Sequence, residues 1–142
     1  MRDASGRWIL GFCGNLGHGN SLAAEVRGFW EGLQQAWKAG FKKICLLGDS
    51  LVAVNLIKNG CQDSHPLAHS INRIRLLIKN DSEVVVSHTL REGNMVADYM
   101  ASYAYQYTDW NIQVLREPPV GCRIFIDRDV MGICCPRRLC RM

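Results

Sequence analysis

Apolar side chains recur along this chain with two different periods, and each period predicts a different kind of element. Between residues 21 and 39 they return every three or four positions, which is typical of an amphipathic helix. The members of this apolar stripe are Leu22, Val26, Phe29, Trp30, Leu33 and Trp37. Short apolar runs at residues 43–47 and 83–87 predict strands, and the continuous first run is typical of a buried parallel strand.

The remaining elements follow from local signals. An apolar run between two glycines predicts a strand over residues 7–13, and helices are expected over 51–58 and 95–107. Ser21 is the expected N-cap of the first helix, and Pro66 stands at the favoured first position of a further helix. The resulting order, β-α-β-α-α-β-α, predicts a layered domain of the α/β class.

The regular pattern fades towards the end of the chain. Prolines and glycines interrupt it, and the last residues, 137–141, include three arginines. We therefore expect one domain over residues 1–108, followed by an irregular extension with a basic end over residues 109–142. A solvated terminus is the favoured interpretation of that end, and nuclear targeting or nucleic-acid contact is the alternative.

Composition narrows the class of protein. The 142 residues suggest one domain and contain neither an apolar run long enough to cross a membrane nor a secretory signal. The seven cysteines are odd in number, irregularly spaced and without a CxxC pair, so we expect neither a disulfide framework nor a zinc site. Cys45, inside an apolar run, is expected to be buried. An intracellular location is favoured, with nucleus and cytoplasm both open.

Net charge gives a weaker indication of a partner. The formal value of +4 is compatible with a polyanion, but it is equally typical of a mildly basic domain that binds none. Charge alone therefore leaves nucleic acid as one of two interpretations.

Three acidic side chains occupy positions that suggest chemistry. Glu25 falls on the apolar stripe of the first helix, where an unpaired carboxylate would be costly. Asp49 follows a buried strand at its carboxyl edge, and Asp98 lies in the first turns of the last helix. Because magnesium prefers oxygen ligands, the three acids together predict a hard-cation site.

Each of these residues also has an ordinary structural explanation. Glu25 could extend to water near a helix start, and Asp98 would be favourable near a helix N-terminus. Asp49 could cap the helix that follows it, although Ser50 could do so alone. His88, which follows the third predicted strand, is a candidate proton shuttle, although a lone histidine is more often structural.

Three segments resemble the successive motifs of one known family. They are residues 21–25 (SLAAE), 47–50 (LGDS) and 88–98 (HTLREGNMVAD). The chain is similar here to type 1 ribonuclease H domains of the kind associated with plant retroelement reverse transcriptases. The third motif is the most specific, because the step from its histidine to its last acid matches the family's catalytic loop. The resemblance covers about residues 2–106.

The resemblance implies a fold, an activity and roles for the residues already singled out. The fold is ribonuclease H-like, a mixed sheet flanked by helices. Glu25, Asp49 and Asp98 correspond to three of the family's four metal-binding carboxylates, and His88 corresponds to the loop histidine that assists product release. The implied activity is cleavage of the RNA strand in RNA–DNA hybrids with Mg2+, or with Mn2+ as the alternative ion. The implied partner is the hybrid or another nucleic acid, which such domains recognise by its shape and its 2′-hydroxyls. The resemblance implies no membrane partner.

The chain departs from the family at its start. Residues 1–6 match the end of the family's second strand, so the first strand and its metal-bridging aspartate have no counterpart, and Asp3 falls in a turn. We therefore expect weakened metal binding and an impaired nuclease. The alternatives are a non-catalytic nucleic-acid-binding relic and a retroelement fragment without function. Residues 7–13, lacking their usual partner, are expected to dock beside residues 43–47 or to stay loosely held.

Overall fold

The computed structural model describes residues 1–80 and 83–131. The elements in chain order are β1 (Gly11–Cys13), α1 (Ser21–Lys38), β2 (Lys43–Gly48), α2 (Leu51–Asn59), α3 (Ala68–Lys79), β3 (Glu83–His88), α4 (Met95–Tyr103), β4 (Gln113–Leu115) and α5 (Arg123–Met131). Helices and strands are interspersed, so the predicted α/β class is confirmed. Within these residues, no helix has the length and apolar character needed to cross a membrane. Contacts divide the chain into two compact units, His18–Thr89 and Met1–Gly17 with Leu90–Met142.

The unit His18–Thr89 is built on a parallel pair of strands. β2 and β3 run in register from Lys43 opposite Glu83 to Gly48 opposite His88, as the two apolar runs predict. Helices α1, α2 and α3 share one hydrophobic core with this pair. Its buried members are Val26, Phe29, Leu33, Leu46, Ala53, Val54, Ile57, Ile71, Ile74 and Val86. Because the pair is parallel and in register, both strands end at the same edge.

Burial of the strand pair is one-sided. Leu46 and Val86 are buried, whereas Cys45, Leu47 and Val85 on the alternate positions are exposed. Successive side chains of a strand point to opposite faces, and the shared core contains only the first set. The prediction that Cys45 is buried is therefore wrong, because an apolar run does not reveal which faces of a strand are covered.

The first helix begins with a cap that differs from the predicted one. Asn20 has extended backbone angles, and its Oδ1 accepts a hydrogen bond from the Ala23 amide at 2.7 Å. Asparagine and serine are about equally good caps, so composition did not separate Asn20 from Ser21. The choice of Ser21 as the cap is wrong by one residue, while the buried stripe of α1 is confirmed at Val26, Phe29 and Leu33.

The helix predicted to open at Pro66 begins two residues later, at Ala68. His65 causes the delay, because its Nδ1 accepts a hydrogen bond from the Leu67 amide at 3.1 Å and holds a turn. Ile71 and Ile74 are buried on α3. A side-chain acceptor just before a helix thus offers the backbone an alternative to the first helical turn.

The other unit holds an antiparallel pair of short strands. β1 pairs with β4, with Gly11 opposite Leu115 and Cys13 opposite Gln113. The hypothesis that residues 7–13 dock beside residues 43–47 or stay loosely held is therefore wrong, since β4 is the partner of this segment. Burial raises the pKa of the Cys13 thiol, which belongs to the small core of this unit.

The interpretation of residues 109–142 as irregular is wrong for two segments. β4 supplies the partner of β1, and α5 buries Ile126 beside Cys122, whose thiol pKa is raised by burial. An ion pair between Arg2 and Asp129 also joins α5 to the beginning of the chain. The domain boundary after residue 108 stays a prediction, and the basic end at residues 137–141 lies outside the described residues.

Candidate active site at the carboxyl edge of the parallel strands

Two of the predicted site residues meet where β2 and β3 end. His88 is the last residue of β3 and is paired with Gly48, so it lies beside Asp49. The His88 Nε2 atom is 3.2 Å from the backbone oxygen of Asp49. Because a carbonyl oxygen can only accept, Nε2 donates in this hydrogen bond. In the neutral ring, Nδ1 is then the nitrogen that can take up a proton.

Asp49 is not needed as the cap of α2. The Ser50 Oγ atom accepts a hydrogen bond from the Ala53 amide at 3.2 Å, and Ser50 has the extended backbone typical of an N-cap. The structural alternative for Asp49, a capping role, is thus filled by its neighbour. Its carboxylate remains a candidate for chemistry at the strand end.

Glu25 approaches the same strand end from α1. A Cβ atom added to Gly48 would lie 2.9 Å from the Glu25 Oε1 atom and would collide with the ring of Phe29. The Glu25 carboxylate therefore sits against the backbone that immediately precedes Asp49. Its side chain is half-buried, as expected for an acid on the apolar stripe of a helix that packs on β2.

Asp98 belongs to the unit formed by Met1–Gly17 and Leu90–Met142. It lies in the first turn of α4, and its Oδ2 is 3.4 Å from Nε of Arg91. Arg91 begins a single 3₁₀ turn that precedes α4, so both partners come from the third motif. Negative charge in the first turn of a helix is also favourable, which agrees with the structural explanation for Asp98.

The predicted metal ligands at the strand edge are carboxylates. Carboxylate oxygens such as those of Glu25 and Asp49 are the ligands that magnesium prefers. Across residues 1–80 and 83–131, however, no group of three or more His, Cys, Asp or Glu side chains is arranged to hold a metal ion. The assignment of Glu25, Asp49 and Asp98 as metal ligands therefore stays a prediction.

Two further residues belong to this region and were not among the predicted site residues. Gly48 leaves the space that Glu25 and Phe29 fill, and a glycine inside a strand pattern is a known signal of such close approach. Arg91 is the partner of Asp98, and only its place in the third motif pointed to it. The glycine signal was thus readable in the sequence, whereas the arginine contact required the turn before α4.

The strand pair and the helices that cover it form an α/β unit that carries an acid and a histidine at the carboxyl edge of its strands. Residues 1–104 match the family described as Reverse transcriptase-like, and the chain belongs to that family. It is 32% identical over 139 residues, 98% of its length, to an Arabidopsis thaliana protein whose name describes it as a ribonuclease H protein. The chain spans 22% of the length of that relative. No solved structure matches the chain. The predicted membership in the plant retroelement group of ribonuclease H-like domains is confirmed.

Proposed function

We propose that this chain binds RNA–DNA hybrids and cleaves their RNA strand in a reaction that requires Mg2+ or Mn2+. The observation that supports this most directly is that Asp49 and His88 lie side by side where β2 and β3 end, with the Glu25 carboxylate against the neighbouring Gly48. Ligands of open α/β sheets bind beyond the carboxyl ends of strands, which is where these groups lie. The resemblance of the three motifs to those of ribonuclease H domains, and the relative named as a ribonuclease H protein, suggest the substrate class of the proposal.

The residues take different roles in this proposal. Glu25 and Asp49 would hold a divalent ion, with Asp98 as the third proposed ligand. Such an ion, when bound, supplies stabilisation of the charge that develops on the phosphodiester oxygens. His88 exchanges a proton with the leaving group at Nδ1, because its Nε2 donates to the Asp49 carbonyl.

The test is cleavage of an end-labelled RNA–DNA hybrid by the purified chain in Mg2+, with Asp49→Asn as the variant. The substitution keeps the shape of the side chain and leaves the Ser50 cap intact, so we expect a folded protein without cleavage. Asp63→Asn is the matched control, because Asp63 is an exposed acid in the loop after α2. Cleavage that survives Asp49→Asn, or that is lost equally in both variants, would contradict the proposed site.

The second candidate is a hybrid-binding domain without turnover. The net charge of +4 is compatible with such binding. A wild-type chain that binds the hybrid but never cleaves it would support this candidate. A folded chain that neither binds nor cleaves the hybrid would support the remaining alternative, a retroelement fragment without function.

A further inference from the structure

A groove of about 500 Å³ opens on the unit His18–Thr89, between the end of α2 and the second half of α3. Arg75 and Lys79 supply two positive charges to its lining, and Asn59 and Asn72 supply two amides. No acidic residue is among the described residues that line it. The groove lies at the far end of α2 from Asp49, about 13 Å along a helix of nine residues, so it is distinct from the candidate active site.

The guanidinium of Arg75 is held in this groove in an unusual state. Within the described part of the chain, its Nη1 atom is shielded from solvent and has no hydrogen-bond partner. A Cβ atom added to Gly60 would lie 2.5 Å from Nη1 and 3.1 Å from Cζ, so the glycine provides the space for the guanidinium. Gly60 also has a φ of +82°, which a residue with a side chain would adopt only with strain.

Because the Nη1 atom is shielded, a ligand in the groove cannot contact that atom, but the positive charge of the guanidinium still adds to that of Lys79. No acidic side chain among the described lining residues offsets these charges. We infer that the groove binds a phosphate-type oxyanion, which Arg75 and Lys79 attract by charge and to which the side-chain amides of Asn59 and Asn72 can donate hydrogen bonds.

The inference does not depend on the proposed nuclease activity. The phosphate group could come from a small phosphate ester or from a nucleic-acid backbone, and both present the same oxygens. The experiment therefore uses inorganic phosphate first and a hybrid duplex second.

The first test is a titration of the ¹⁵N-labelled full chain with inorganic phosphate, followed by NMR at the Gly60 amide and the Arg75 side-chain N–H. We expect saturable shifts at both, with a Kd of about 1 mM or tighter. Lys79→Gln should raise the Kd about tenfold, in line with the loss of one charge-assisted contact. Lys58→Gln is the matched control, because Lys58 is an exposed lysine on α2 outside the groove.

The second readout is thermal stability. Phosphate should raise the melting temperature of the wild type by mass action, and it should not raise that of Arg75→Met. Should Arg75→Met fail to fold, Lys79→Gln carries the same test, since its charge lies at the exposed side of the groove. The absence of saturable shifts in the wild type, or equal weakening by Lys79→Gln and Lys58→Gln, would overturn the inference.

The hybrid duplex then distinguishes the two sources of phosphate. Shifts at Gly60 on adding the duplex, together with weaker duplex binding by Lys79→Gln, would identify a backbone phosphodiester as the ligand. An unchanged Gly60 resonance with the duplex, but a shifted one with inorganic phosphate, would identify a small phosphate compound.

Discussion

At the scale of single residues, the candidate site depends on the absence of a side chain at Gly48. Gly48 is buried at the end of β2, and its carbonyl accepts a hydrogen bond from the Thr89 amide at 2.9 Å. The backbone is therefore fixed on one side while Glu25 and Phe29 occupy the space where a Cβ would lie. The close approach of the Glu25 carboxylate to the backbone of residue 48 thus requires glycine at this position.

Gly48→Ala should destabilise the chain by about 1–3 kcal/mol, because it forces added volume into a packed contact. It should also displace Glu25 from the strand edge and reduce any Mg2+-dependent activity. Urea unfolding of the purified variant measures the first effect, and the hybrid cleavage assay measures the second.

Gly28→Ala provides the matched control for this substitution. Gly28 lies on α1, three residues from Glu25, and a Cβ added there would meet nothing within 4 Å. Alanine is a better helix former than glycine, so this variant should gain up to about 1 kcal/mol. Equal stability changes in the two variants would show that the space beside Gly48 is not occupied as described.

At the scale of elements, two adjacent residues at the start of the short helix α2 have different roles. Ser50 caps the helix, and Asp49 is the candidate for chemistry. Ser50→Ala should lower the free energy of unfolding by about 1 kcal/mol, because the Ala53 amide loses its acceptor. Asp49→Asn should change that free energy by less than about 0.5 kcal/mol, because its side chain is not the cap. Urea unfolding monitored by far-UV circular dichroism compares the two, and a larger loss from Asp49→Asn would assign the cap to Asp49.

Long amphipathic segments made much of the fold predictable. The strand pair and α1 were located within one or two residues, since each carries an apolar face that must be buried. Three-residue strands such as β1 and β4 carry too short a pattern, and each forms only because its partner exists at a distant point of the chain. Helix starts were missed where polar side chains compete, as Asn20 and His65 do.

The candidate site was predictable to a similar extent and for related reasons. Asp49 and His88 were found because strand ends are readable in sequence, and Glu25 because it interrupts an apolar stripe. The contact between Glu25 and Gly48 was not predictable, because it depends on how α1 packs on β2. Sequence thus identifies which side chains are unusual, and tertiary packing determines which of them meet.

At the scale of the whole molecule, net charge is the property that bears on binding. The formal value is +4, whereas a nucleic-acid duplex is a dense polyanion with bound counterions. Binding that neutralises phosphates releases those counterions, so affinity should fall as salt rises. The steepness of the fall reports how many phosphates the chain contacts.

We expect the logarithm of hybrid affinity to fall linearly with the logarithm of salt between about 50 and 200 mM, with a slope of about −2 or steeper, as two or more phosphate contacts require. Fluorescence anisotropy of a labelled hybrid in EDTA measures this without turnover. A DNA duplex of the same sequence is the control, because it carries the same phosphates but no 2′-hydroxyls. Tighter binding of the hybrid than of the DNA duplex at every salt concentration would indicate recognition of RNA. Equal binding of the two duplexes would indicate that the chain recognises only their charge. An affinity that does not change with salt would contradict the proposed phosphate contacts altogether.

Asp49→Asn removes one negative charge, so this variant should bind the hybrid at least as well as the wild type does. It should nevertheless lose cleavage, which separates binding from chemistry in one chain.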